Sequence, residues 1–186
     1  MILVTGGARS GKSRFAEQLA EAAGSRRIYI ATGKVFDEEM ARRVAKHKMR
    51  RVAQWQTYED HRGIDAFLMA QGASYDSGLL DCVTTLLTNL LFDRLGDIPQ
   101  DYDFSLPDYD SIQADALEYM GRILDGAEQA ALPLILVTNE IGMGVVPETP
   151  LGRAFRDMAG AANQYLAERA DTVYFVVSGI PMKIKG

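Results

Sequence analysis

The sequence predicts an α/β fold in which a mostly parallel central sheet is flanked by helices, and three observations carry that reading. Short apolar segments alternate with longer stretches at helical spacing, the pattern of a parallel sheet covered on both faces. Between the first apolar segment and the first helical one stands Gly6-Gly7-Ala8-Arg9-Ser10-Gly11-Lys12-Ser13, with the spacing G-x4-G-K-S. Near the far end, Gly179-Ile180-Pro181 signals a turn before Met182-Lys183-Ile184-Lys185, which predicts an antiparallel edge strand.

Taken in order, the apolar segments at 2–5, 27–32, 77–81, 134–138 and 172–178 read as strands, and the patterns at 12–23, 38–49, 83–95, 111–130 and 152–170 read as helices. In the first helix Phe15, Leu19, Ala22 and Ala23 share one side. In the fourth, Ile112, Ala116, Met120, Ile123, Leu124 and Ala127 share one face, which core packing explains without a ligand. The stretch 96–110 breaks the rhythm with five aspartates, two prolines and no Lys or Arg, and reads as a solvated acidic loop. At 186 residues, with neither an internal repeat nor a linker, the chain predicts one nucleotide-binding catalytic domain over 1–186.

Composition excludes several classes. A net charge of −5 argues against general coating of nucleic acid. The single cysteine, Cys82, excludes an internal disulfide and a cysteine-based zinc site. No apolar run reaches the ~20 residues that cross a bilayer, and the chain opens on a strand with no basic leader, so a cytoplasmic location is expected.

The 6–13 segment is a phosphate-binding loop. Its glycines let successive N–H groups turn inward toward phosphate oxygens, and the following helix adds its positive end. Lys12 can reach the β- and γ-phosphates and Ser13 can hold Mg2+. A P-loop also predicts an acid at the end of a neighbouring strand, and Asp81 fits as a second Mg2+ holder; the competing reading makes it the N-cap of the 83–95 helix. His47 lies among Arg42, Arg43, Lys46, Lys48, Arg50 and Arg51. It reads either as part of a basic solvated helix face or as a nucleophile kept neutral by the surrounding cations, which would attack an α-phosphate. Glu59 is either an exposed carboxylate or a partner for a base or ribose. Thr138-Asn139-Glu140 runs into a glycine-rich loop through Pro147, where open α/β sheets place ligand contacts and a large second substrate could sit.

Many unconnected blocks match one family. They are the opening Ile2–Ser13 stretch, Tyr29-Ile30-Ala31-Thr32, Asp37-Glu38-Glu39-Met40, His47-Lys48, Trp55-x-Thr57-x-Glu59, Thr84-Thr85, Thr88-Asn89-Leu90-Leu91, the run from Val137 to Glu148, Phe155-Arg156-Asp157, Asn163-Gln164 and Val176-Val177-Ser178-Gly179. On these blocks the chain resembles the bifunctional adenosylcobinamide kinase/adenosylcobinamide-phosphate guanylyltransferases of cobalamin biosynthesis, nearly end to end. The resemblance implies a RecA-like P-loop NTPase fold, phosphorylation of adenosylcobinamide by ATP or GTP, and transfer of GMP from GTP to adenosylcobinamide phosphate. It implies His47 as the guanylylated nucleophile with Lys12 as the other catalytic group. It also implies nucleotide contacts at Gly6, Gly7, Ala8, Arg9, Ser10, Gly11, Lys12, Ser13, Ala31, Thr32, Gly33, Lys48, Met49, Arg50, Arg51, Glu59 and Asp81. A homo-oligomer, specifically a trimer, follows from the same resemblance. Asp81 stands where the family also uses glutamate, and Val52 where a proline is common. Two other classes remain in view: a monofunctional metabolite kinase, and a GTP-binding switch, which would need an Asn-Lys-x-Asp motif that this chain lacks.

Overall fold

The structure, a computed structural model, describes residues 1–33 and 55–186. The expected helix at 38–49, with His47, Lys48, Met49, Arg50 and Arg51, lies outside the described residues. The strands are β1 (Ile2–Thr5), β2 (Arg27–Ala31), β3 (Trp55–Glu59), β4 (Ser77–Asp81), β5 (Leu134–Val137), β6 (Thr172–Val177) and β7 (Ile180–Lys185). The described helices are α1 (Lys12–Ala23), α2 (Ile64–Gln71), α3 (Val83–Leu95), α4 (Tyr109–Gln129) and α5 (Pro150–Arg169), with a 3-10 turn at Gly72–Ser74.

The seven described strands form one sheet in the order β3-β2-β4-β5-β1-β6-β7, parallel except for β7. One strand, β5, separates β1 from β4, which is the strand order of a RecA-like P-loop fold. From β1 the chain moves out to β2, whereas from β5 it crosses β1 to reach β6. The two connections part at the carboxyl ends of β1 and β5, and that crevice is where an open α/β sheet receives ligands.

Strand alternation builds the two halves of the core. Leu3, Ile28, Ile30, Leu80, Leu134 and Leu136 turn to one face, under Leu68, Leu86, Ile123, Met158 and Leu166 of α2 to α5. Val4, Tyr29, Leu79, Ile135 and Val137 turn to the other, under Ala16 and Ala20 of α1. Because α1 presents alanines it lies close to the sheet, close enough for the Ser77 hydroxyl to donate to Ala20 O at 3.0 Å. A central strand covered on both faces needs no polar alternation, and β4 and β5 are buried almost throughout.

Several bounds are set by caps. α4 begins two residues before the expected 111 because Asp108 accepts from Ser111 N, and α5 begins at Pro150 because Thr149 caps it with proline in the first turn. The expected antiparallel edge at the C-terminal side is present. β6 and β7 are joined by Ser178 (φ 51°) and Gly179 (φ 82°). Two successive positive φ values make the tight hairpin turn that matches strand twist. Two elements, β3 and α2, were not expected. β3 is an edge strand with mostly exposed positions, so it carries no buried run; its Trp, Thr and Tyr suit a pleated surface by shape. α2 has eight residues, too few to establish a period. The acidic stretch after α3 stays irregular through Asp108.

Candidate active site

The P-loop is held by backbone on both sides. Glu140 N donates to Gly6 O at 3.1 Å, and Gly179 N of the β6–β7 turn donates to Ser10 O at 2.7 Å. Two glycines are required by these contacts. A Cβ on Gly6 would stand 2.4 Å from Val176 O. Gly11, at φ 96°, would place one 3.1 Å from Gly179 Cα, so side chains are excluded by both conformation and space. Arg9 also sits at positive φ (57°). The Lys12 side chain is buried, and its Nζ donates to Gly7 O at 3.0 Å. Burial pushes the Lys12 ammonium below its ordinary pKa, while the nearby Cys82 and Asp81 push it up. Ser13 follows in the first turn of α1, half-buried.

Strand register brings the other predicted residues to the same edge. Ala31 pairs with Glu59 on one side and with Asp81 on the other. Two strand spacings put these carboxylate-bearing positions about 10 Å apart, flanking Ala31. Asp81 accepts a hydrogen bond from the Tyr29 hydroxyl at 3.0 Å. It is not the N-cap of α3; that position belongs to Cys82, which makes no side-chain cap. The N-cap alternative for Asp81 is therefore corrected, because the helix starts one residue later than a cap at 81 requires. Thr32 is buried, and its hydroxyl donates to Cys82 O (2.8 Å) and accepts from Cys82 N (3.1 Å). Its side chain is thus occupied in tying the end of β2 to the end of β4, and Asn89 of α3 donates to its carbonyl. Gly33 is exposed beside Thr85.

A polar network underlies the crevice. Asn139 donates to Thr84 Oγ1 at 2.6 Å, Asn163 of α5 donates to Asn139 O at 3.1 Å, and the Thr138 hydroxyl donates to Asn163 Oδ1 at 2.7 Å. Cys82 Sγ lies 3.1 Å from Thr84 Oγ1 and 2.9 Å from Thr85 Oγ1. Burial pushes its thiol pKa up and Asp81 adds to that, so it stays a protonated packing group at neutral pH. Sequence patterns assigned no role to Tyr29, Thr84, Asn89 or Asn163. Each lies in a block quoted above as shared, but its partner is distant in the chain.

His61, the other histidine of the chain, is a packing residue. It is buried, its Nε2 meets the Asp93 carboxylate, and its Nδ1 faces Asp60 at 3.3 Å. Beyond the network, the connection from β5 to α5 presents Met143, Val145 and Val146 to solvent.

The donor set suits Mg2+ bound with a nucleotide. Mg2+ takes oxygen ligands, few of them from protein and the rest from phosphates and water. Ser13 and Asp81 offer a hydroxyl and a carboxylate of that kind. Among the described residues no group of three His, Cys, Asp or Glu side chains could cage a metal by itself.

The sequence model of the cobinamide kinase / cobinamide phosphate guanyltransferase family matches residues 2–184. The chain is 47% identical over 189 residues to the bifunctional adenosylcobalamin biosynthesis protein CobU of Salmonella typhimurium, covering 100% of this chain and 99% of that protein. It is 45% identical to its Escherichia coli namesake, covering 100% and 99%. It is 44% identical to the bifunctional adenosylcobalamin biosynthesis protein CobP of Pseudomonas aeruginosa, covering 99% and 96%. Among solved structures, a KaiC-like protein from Pyrococcus horikoshii aligns with a TM-score of 0.46 and 15% identity over 94% of this chain and 69% of that one.

Proposed function

The chain belongs to the cobinamide kinase / cobinamide phosphate guanyltransferase family, and from that premise we propose how its residues divide the work of a bifunctional enzyme. It is a kinase and a nucleotidyltransferase of cobalamin biosynthesis. In the first reaction a hydroxyl oxygen of adenosylcobinamide attacks the γ-phosphorus of ATP or GTP, the bond to the β-bridging oxygen breaks, the nucleoside diphosphate leaves and the hydroxyl proton passes to solvent. In the second, a ring nitrogen of His47 attacks the α-phosphorus of GTP and pyrophosphate leaves. A phosphate oxygen of adenosylcobinamide phosphate then displaces His47 from the same phosphorus, giving adenosylcobinamide-GDP.

The observation that carries the shared phosphate site is the position of Lys12. Its ammonium is buried at the P-loop and bonded to Gly7 O, an oxygen that stands in for a phosphate oxygen. When a nucleotide binds, Lys12 exchanges that carbonyl for the phosphates and offsets the charge on the leaving group. The P-loop N–H groups from Gly6 to Ser13 hold the phosphates in both reactions. Ser13 and Asp81 would hold Mg2+, which supplies further positive charge to the phosphates. Ala31, Thr32 and Gly33 line the crevice beside the nucleotide, and Glu59 takes the ribose or base. Lys48, Met49, Arg50 and Arg51, next to His47 in sequence, complete the nucleotide site. Only the second reaction needs His47.

The test is intact-protein mass spectrometry after incubation with GTP and Mg2+, wild type beside His47→Ala. The expected result is a GMP adduct that is acid-labile, base-stable and absent from the variant, while the variant still phosphorylates adenosylcobinamide. A folded wild-type protein that binds GTP and forms no adduct overturns the covalent route. The proposed assembly is a homotrimer in the cytoplasm. It is supported by the uncovered apolar side chains of the β7 edge, Ile180, Met182 and Ile184. Among the described residues no helix is long and apolar enough to cross a membrane. Light scattering that returns the 20.5 kDa monomer mass would rule the trimer out.

A further inference from the structure

Asn163 fixes the level of α5 against the sheet, since it bonds to Thr138 and Asn139 at the carboxyl end of β5. The helix begins at Pro150, 13 residues and roughly 20 Å of axis before Asn163. Leu151 and Phe155 of that half pack against the core, and it leads to the Asn163 contacts that border the crevice. Arg156 stands seven residues before Asn163, which is about two turns and roughly 10 Å along the axis, on the same helix face. Ala159, between them on that face, is buried. The face therefore turns inward.

Arg156 is half-buried, and its Nη1 is buried without a hydrogen-bond partner. Among the described residues it forms no ion pair. The neighbouring arginines differ: Arg153 donates to Pro147 O and Glu148 O, Arg169 to Asp125, and Arg122 to Asp65 and Glu118. A guanidinium nitrogen removed from water with no acceptor is destabilising, so the protein would gain by replacing it. Its planar fork is made for a two-oxygen anion such as a phosphate. The nucleotide phosphates already have the P-loop and Lys12, which leave the carboxyl end of a different strand.

We propose that Arg156 binds the phosphate monoester of the acceptor substrate in the GMP-transfer reaction. The proposal rests on the two-reaction reading above. In the kinase reaction the acceptor end is an uncharged hydroxyl; in GMP transfer it is a phosphate. An anchor for that phosphate therefore acts in only one of the two reactions.

Steady-state kinetics of both reactions test this on wild type, Arg156→Ala and Arg156→Lys, with thermal unfolding of each. The expected result for Arg156→Ala is a rise of about 10- to 100-fold in the KM for adenosylcobinamide phosphate, the range of a lost hydrogen bond to a charged group. The KM values of the kinase reaction and for GTP stay unchanged, and Tm is unchanged or higher. Arg156→Lys, which keeps the charge without the fork, shows a smaller rise and serves if the alanine variant does not fold. An unchanged acceptor KM overturns the proposal. So does a GTP KM raised equally in both reactions, which would assign Arg156 to the nucleotide, or a lowered Tm with parallel loss of both activities, which would make it structural. Wild-type protein that phosphorylates adenosylcobinamide but transfers no GMP would instead sink the two-reaction reading, and this proposal with it.

Discussion

The P-loop and the connection from β5 to α5 leave the carboxyl ends of adjacent strands, yet they are built in opposite ways. The P-loop is pinned between the backbone of β6, the β6–β7 turn and Glu140 N. Its charge, Lys12, is buried and already bonded. The other loop is held toward its ends, by Glu140 N to Gly6 O, by Asn139 to Thr84 and Asn163, by Gly142 N to the Glu140 carboxylate, and by Arg153 to Pro147 O and Glu148 O. Between those points it exposes Met143, Val145 and Val146. Phosphate is the same in every nucleotide and can be read by backbone N–H groups in a rigid cradle. A bulky second substrate offers no such repeated unit, so side chains on an adaptable connection suit it better.

The sharpest way to break this comparison is Lys12→Met. Both reactions should fall on the order of 10²- to 10³-fold or more, the size of effect seen when a charge-stabilising donor is removed. Stability should be unchanged or higher, because burial disfavours the Lys12 charge in the folded state. Its folded pKa is lowered from 10.5, so the unfolded chain binds more protons as the pH approaches that value. Wild-type stability should therefore gain relative to Lys12→Met as the pH climbs toward 10.5, and parallel curves would deny the buried charge. Denaturant titration at several pH values measures it.

Next in size is Gly6→Ala. With its Cβ 2.4 Å from Val176 O, the backbone must shift. A loss of about 2–4 kcal/mol in chemical denaturation is expected, with both activities impaired. Gly144, in the other loop, has nothing within 4 Å of an added Cβ. Gly144→Ala should stay within about 0.5 kcal/mol. Equal costs at the two glycines would erase the contrast between rigid and adaptable loops. A smaller effect lies between them at Asn163→Ala, which strands the Thr138 hydroxyl and the Asn139 carbonyl. We expect a cost of about 1–3 kcal/mol, with the acceptor KM rising more than the nucleotide KM because α5 carries Arg156, the proposed acceptor anchor. A larger change in nucleotide KM would reverse that assignment.

Much of this molecule is local and therefore legible before folding. The strand before the P-loop, the glycine spacing and the helix after it lie within two dozen residues, and β1 and α1 fall where the pattern places them. α4 and α5 shift by two residues only because the capping side chains Asp108 and Thr149 set the boundary. β3 escaped because an edge strand need not bury a face, and α2 because eight residues hold little period.

By itself the sequence determined the phosphate cradle, the alternation that makes the two core faces, and a turn into a returning edge strand, because each depends on neighbours along the chain; the turn itself falls at Ser178-Gly179, ahead of the expected Gly179-Ile180-Pro181, and β7 starts at Ile180. Only the tertiary structure decided that Glu59, Ala31 and Asp81 form one row and that Tyr29 reaches Asp81. It alone occupied Thr32 with Cys82, seated the β6–β7 turn on the P-loop, and set Arg156 on an inward face with an unmatched donor. Those relations depend on strand register and on the height of one helix against the sheet. Both are set by the sum of many distant packing contacts, which no local pattern encodes.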